Sequence, residues 1–240
     1  MTRPFYSITI NGKNTWDEWA LMPVKAGRID FATAELKYEA VEVAGSDDVL
    51  DFTEALTGYP LYKQRKGSIS FRFFDNGVPV RNRFDQIKNF LHGKKAIAII
   101  EDQPEYYYEG RFLVGDLKFA KRGNWAEFEL SYILNAYKIE VGSSNEDWLW
   151  NPFNFETGVI REYSDIVING LTSVNVIGSR KPTTPEFICD NAMVMTFDGN
   201  SYNMSAGRNI IPQIVLSDDE YEFVFNGIGT VSISMKAGAL

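Results

Sequence analysis

Residues 32–74 constrain the fold more than any other stretch. Leu36, Tyr38, Val41 and Val43 alternate with charged or polar neighbours, with one slip near Ala40, and a period of two marks a strand. The turn cluster Gly45-Ser46-Asp47-Asp48 interrupts the run. A second extended stretch begins at Val49, and Ile69, Phe71 and Phe73 then alternate as a half-buried strand. An arm this long, part polar and part aromatic, is hard to bury within one small domain. The pattern predicts a projecting β-hairpin over residues 32–60, with its outgoing strand at 36–43 and its return at 49–57. Gly58-Tyr59-Pro60 is expected to mark its return to the core. Exposed strands of this kind pair with other sheet edges, here those of another copy. The candidate interface residues are Leu36, Tyr38, Val41, Val43, Val49, Asp51, Phe52, Glu54, Leu61 and Tyr62.

Elsewhere the strands are short. Residues 7–10 run into Asn11-Gly12, a hairpin turn signal. Thr15-Trp16-Asp17-Glu18-Trp19 allows two readings. Thr15 caps a helical turn with Glu18 three residues on, or the carboxylates and indoles form a sugar subsite. One helix is expected at residues 82–92, where Phe84, Ile87, Phe90 and Leu91 form a stripe, Asn82 caps the start and Gly93 stops the end. His92 and Lys94-Lys95 are placed to complement the helix dipole. Residues 96–100 read as a strand buried on both faces. Tyr106-Tyr107-Tyr108 leads through Gly110 into Phe112-Leu113-Val114, and a further hairpin turns at residues 121–124 before Trp125, Phe128, Leu130 and Tyr132. The first unit is therefore a β-structure of about seven or eight strands carrying one helix.

The pattern weakens between residues 136 and 152, which divides the chain into residues 1–140 and 141–240. The second unit has short apolar runs ending at Asn169-Gly170, Asp198-Gly199-Asn200, Ser217-Asp218-Asp219-Glu220 and Asn226-Gly227. Strands at this spacing over roughly 90 residues suggest an antiparallel sandwich of jelly-roll kind.

At 240 residues, 45% hydrophobic and 14% aromatic, the chain can bury one large core or two ordinary ones. Charge is uneven: residues 1–140 hold 19 Lys plus Arg against 20 Asp plus Glu (−1), and the remainder 5 against 12 (−7). That balance argues against a nucleic-acid ligand, which needs a basic face. One cysteine, Cys189, and one histidine, His92, exclude an internal disulfide and any zinc site built from three or more Cys or His ligands. Cys189 lies in an apolar run and reads as a small buried hydrophobe. No phosphate-cradling motif occurs, Asp47-Asp48 and Asp218-Asp219-Glu220 lack calcium-loop spacing, and nothing implies a cofactor. A glycosidase would need only two of the 32 carboxylates, but nothing singles out a pair. No apolar run is long enough to span a membrane, and no signal peptide is visible at the start.

Asn11-Gly12, the block from Val49 to Gly58, Leu61-Tyr62-Lys63-Gln64-Arg65, Phe90-Leu91-His92-Gly93-Lys94 and Tyr107-Tyr108-Glu109-Gly110-Arg111 together resemble the distal tail (Dit) proteins of long-tailed, non-contractile phages. The likeness covers roughly residues 7–135, in the family's order; the second unit is similar in length, strand content and position. The resemblance implies a non-enzymatic virion protein at the tail tip, made in the host cytoplasm. Its N-terminal domain would be tail-tube-like and form a hexameric ring, with a long hairpin lapping onto the neighbouring subunit. The C-terminal domain would be a galectin-like β-sandwich. Implied partners are the tail tube, tape measure and tail-associated tip proteins, and receptor-binding or other baseplate proteins, with DNA passing through the lumen unbound and no membrane contact. A carbohydrate-binding module, motivated by Trp16, Trp19, Trp148 and Trp150, is the alternative.

Overall fold

Asn11 and Gly12 both adopt left-handed backbone, with φ of 46° and 79°. This two-residue turn folds β1 (Ile8–Ile10) onto β2 (Lys13–Asn14). The structure is a computed structural model describing residues 6–25, 29–120, 125–143, 156 and 158–240. Two compact units divide the chain, Met1–Lys138 and Ile139–Leu240. The chain is mainly β, as its sequence indicates.

In the first unit α1 (Thr15–Trp19) follows β2, and its cap is Asn14, one residue earlier than expected. The Asn14 side chain accepts the N–H groups of Trp16 and Asp17 at 2.9 and 3.3 Å. Thr15 is buried and its Oγ1 accepts the Ile8 N–H instead, so it is not free to cap. The chain continues through β3 (Leu21–Pro23), β4 (Ala40–Glu42), β5 (Val49–Asp51) and β6 (Arg65–Phe73) to α2 (Val80–Leu91). Next come β7 (Lys95–Ile100), β8 (Tyr106–Val114), β9 (Lys118–Phe119) and β10 (Ala126–Leu134), and β11 (Lys138–Glu140) spans the boundary between the units. The main sheet runs in the order β2-β1-β7-β8-β10-β6-β3, with β9 also on β10.

Helix α2 lays Phe84, Ile87 and Leu91 into the core, where Phe84 meets Phe128 edge-on at 5.6 Å. Each fully buried Ile or Leu there contributes about 2 kcal/mol. The helix begins at Val80, so Asn82 lies inside the first turn and is not the cap. Pro79 precedes it, and the Pro79 carbonyl already accepts from the N–H groups of Asn82 and Arg83. His92 is the C-cap residue of this helix, and its Nδ1 accepts the Val114 N–H at 3.0 Å, which ties the helix end to β8. Strand β7 is buried on one face only, since Ala96, Ala98 and Ile100 face the core while Ile97 is 44% exposed.

The second unit contains β12 (Ile166–Ile177), β13 (Glu186–Cys189), β14 (Met193–Phe197), β15 (Asn200–Met204), β16 (Gly207–Ile210), β17 (Glu220–Ser234) and β18 (Gly238–Ala239). Its sheet order is β15-β14-β17-β13-β16, with β12 also paired along β17. Phe223, Phe225, Val231 and Ile233 of β17 join Phe187, Met195 and Leu216 in its core. Neither Asn169-Gly170 nor Asn226-Gly227 is a turn. Both lie within long strands, and Gly170 sits directly opposite Gly227 in the β12–β17 ladder. Gly227 occupies the inward register, where a Cβ would come 2.7 Å from Met193 Cβ, so the glycine makes room for β14 rather than for a reversal.

Candidate functional site

The arm leaves the first unit from a fixed root. Ile29 and Phe31 are buried, and Phe31 meets Tyr108 and Tyr132 edge-on at 4.7 and 4.8 Å. The next residue, Ala32, is held at both ends of its peptide. Its N–H donates to Tyr132 Oη at 2.8 Å, and its carbonyl accepts from Arg65 Nη1 at 2.9 Å. Arg65 is 4% exposed and also donates from Nε to the Ala136 carbonyl at 2.8 Å. It opens β6, so one buried guanidinium ties the outgoing limb to the start of the returning strand. Gly67 makes this possible, because it leaves the Tyr132 hydroxyl room to reach Ala32.

Beyond the root the hairpin has two ladders. At the base, Leu36 pairs with Tyr62, the Lys37 N–H donates to the Leu61 carbonyl, and the Lys63 N–H donates to the Glu35 carbonyl. Tyr62 also meets Tyr137 edge-on at 5.7 Å. At the tip, β4 pairs with β5 in the register Ala40↔Asp51, Val41↔Leu50 and Glu42↔Val49. The returning limb departs from expectation: strand ends at Asp51, and residues 53–57 form turns in which the Glu54 carbonyl accepts from Thr57 and Gly58. A run with Thr53, Glu54 and Thr57 beside Asp51 satisfies its backbone locally, as the Thr53 N–H on Asp51 Oδ1 illustrates. Residues 58–64 stay outside the core, and burial resumes only at Arg65, not at Gly58-Tyr59-Pro60.

The tip register sorts the candidate interface residues by face. Val41 lies opposite Leu50, and alternation puts Val43 and Phe52 on their side. Val49 and Asp51 point the other way, with Ala40 and Glu42. Tyr38 is exposed, Leu36 and Leu61 belong to the base, and Glu54 sits in the turn. Sequence reading omits Leu50 and Leu56, although Leu56 is 95% exposed. Two adjacent apolar residues, Val49 and Leu50, leave the alternation ambiguous, and only the partner strand resolves it. Between Tyr38 and Thr57 stand Glu39, Glu42, Asp47, Asp48, Asp51 and Glu54, with no Lys or Arg. The side-chain hydrogen bond from Thr53 holds the Asp51 carboxyl below the ordinary carboxylate value.

Other candidates fare differently. Trp19 is 2% exposed and cannot stack on a sugar, while Trp16 leans on Phe74 at 5.6 Å. Glu18 is ion-paired with Lys13 at 3.6 Å. Trp148, Trp150 and the turn at 121–124 lie outside the described residues. Burial pushes the Cys189 thiol up, away from nucleophilic character. Among the described residues no three His, Cys, Asp or Glu side chains cluster as a metal site. No described helix is long and apolar enough to cross a membrane.

No family model matches the chain, and no curated protein sequence matches it. Among solved structures it is similar to the crystal structure of SPP1 Dit (gp 19.1), described as a paradigm of the hub adsorption apparatus in phages infecting Gram-positive bacteria. The TM-score is 0.57 at 12% identity, over 98% of this chain and 99% of that one. The fold is Dit-like. The likeness extends through both units, so the second unit, for which sequence offered no motif, shares in the Dit-like architecture.

Proposed function

We propose that this chain is a structural protein of a phage tail hub, closing a ring of identical copies at the distal end of a non-contractile tail. The carrying observation is the Dit-like fold over nearly the whole chain, joined to an arm whose apolar face is open to solvent. Cyclic head-to-tail contacts require one patch that fits a different patch on the next copy, and a projecting hairpin supplies the first. In this reading the ring has six copies and joins the tail tube protein to the tip protein. The tape measure protein lies along the same axis, and the second unit carries receptor-binding or other baseplate proteins. The role is mechanical rather than enzymatic, and its site is the virion tail tip. Six copies at −8 each would carry −48, suited to a channel through which DNA slides without sticking.

Light scattering on the purified chain tests this. A mass near six times 27.2 kDa, or twice that for stacked rings, is expected. A monomer across micromolar concentrations would count against it. Deleting residues 40–51 should leave folded monomers, and intact rings after that deletion would remove the arm from the account.

A further inference from the structure

If copies do form a ring, the arm needs a receptor, and a second feature of the first unit has the complementary chemistry. A pocket of about 430 Å³ opens at the N-terminus of α2, walled by Phe73, Val78, Pro79, Val80, Phe119 and Trp125. Two guanidiniums lie on its aromatic walls: Arg72 over Trp125 at 4.3 Å and Arg81 over Phe119 at 5.0 Å. A third, Arg83, lines the pocket while 2% exposed. Its Nη1 donates to the Trp19 and Phe74 carbonyls, and its buried Nε has no hydrogen-bond partner. The first turn of α2 holds no acidic residue, and its cap position, Pro79, makes no side-chain bond. Against them stand Asp75, which itself lines the pocket and accepts the Gly77 N–H, and Glu127, which pairs with Arg72, so Arg81 carries the unbalanced charge of this set. Aromatic walls with excess positive charge suit an acidic segment carrying apolar side chains. The arm tip is such a segment, with six carboxylates, no cation, and Val41, Val43, Leu50 and Phe52 on one exposed face.

We infer that the arm tip of one copy docks in the α2 pocket of the next, Phe52 meeting Phe119 and Trp125 while the tip carboxylates face Arg81. This rests on the ring reading above and supplies its missing half, a patch different from the arm. The contact is heterologous, each copy giving one arm and receiving another, and so it propagates around a ring.

Two measurements on the full chain test the docking. With a photoreactive benzoylphenylalanine in place of Phe52, mixed heavy and light copies should crosslink between chains onto residues 73–83, Phe119 or Trp125. Crosslinks concentrated elsewhere on the second copy would overturn this receptor and leave the ring standing. The second measurement is complementation. A pocket variant (Arg81→Glu with Trp125→Ser) and an arm variant (Val41→Ser with Phe52→Ser) change exposed or half-exposed side chains, so each should fold. Each should assemble at least tenfold more weakly than the parent, and a mixture should give heterodimers of twice 27.2 kDa without rings, since one junction of two is intact. Rings from the pocket variant alongside monomers from the arm variant would refute the docking only. A parent chain that is itself monomeric would take down the ring and the docking together.

Discussion

Gly67→Ala attacks the root of the arm without touching the arm itself. An ideal Cβ at residue 67 would lie 2.3 Å from Tyr132 Oη and 2.7 Å from Tyr132 Cζ. Gly67 is paired directly with Tyr132 in an eight-pair ladder between β6 and β10, so the backbone cannot retreat without disturbing that register. The ring must swing instead. That movement takes its hydroxyl from the Ala32 N–H, 2.8 Å away, and disturbs the edge contact with Phe31 at 4.8 Å. Inserting a methyl into a packed site costs about 1–3 kcal/mol and losing one hydrogen bond about 1 kcal/mol, so the first unit should lose about 2–4 kcal/mol. For a unit of this size that lowers its Tm by roughly 10 °C. Amide hydrogen exchange read by mass spectrometry should show the Ala32 amide losing protection while the second unit is unchanged. Tyr132→Phe serves as the control, keeping the ring and removing only the hydroxyl, for a loss of about 1 kcal/mol. A Gly67→Ala chain with unaltered melting and an equally protected Ala32 amide would refute the clamp as the device that aims the arm.

Other expectations follow from the same geometry. Arg65→Leu leaves the Ala32 and Ala136 carbonyls without their donor and should cost about 2–4 kcal/mol in denaturant unfolding of the first unit, with Arg65→Lys failing to restore both bonds. Val41→Ser, Leu50→Ser and Phe52→Ser together should leave the melting of the isolated copy within about 1 kcal/mol of the parent, because all three are exposed there; lowered thermal stability would show that they pack within one copy. Gly178→Ala drives a Cβ to 1.8 Å from the Ser217 carbonyl oxygen, a backbone atom, and should destabilise the second unit by about 3 kcal/mol or more, read as a lowered melting step with the first unit unaffected. Asp190 is held below its ordinary carboxylate value chiefly by the Thr230 N–H, so its contribution is present above pH 3.8 and lost as pH falls through the lower folded value; Asp190→Asn should flatten the acid limb of the second unit's stability curve, and an unchanged limb would contradict the assignment.

Whether a feature was legible in the sequence depended on the range of the force that made it. Where one face of an element meets the core, burial imposes a period that can be read directly: Ile69, Phe71 and Phe73 in β6, Phe128, Leu130 and Tyr132 in β10, and Phe84, Ile87 and Leu91 in α2 all point where alternation or helical spacing predicts. Misreadings cluster where the deciding partner is remote in sequence. Asn226-Gly227 has the composition of a hairpin turn, and nothing local shows that Gly170 lies opposite and Met193 needs the space. The arm's root depends on contacts across 33 and 100 residues, Arg65 to Ala32 and Tyr132 to Ala32, which no window covers. The arm's tip is the most instructive case. It has no core to impose a period, so the sequence named Val49 and passed over Leu50, and only the ladder shows that Leu50 is the one set against Val41. An exposed face with Val41, Val43, Leu50 and Phe52 in register costs free energy in an isolated copy, because it keeps apolar area in water. That argues for a partner surface more directly than the length of the arm does.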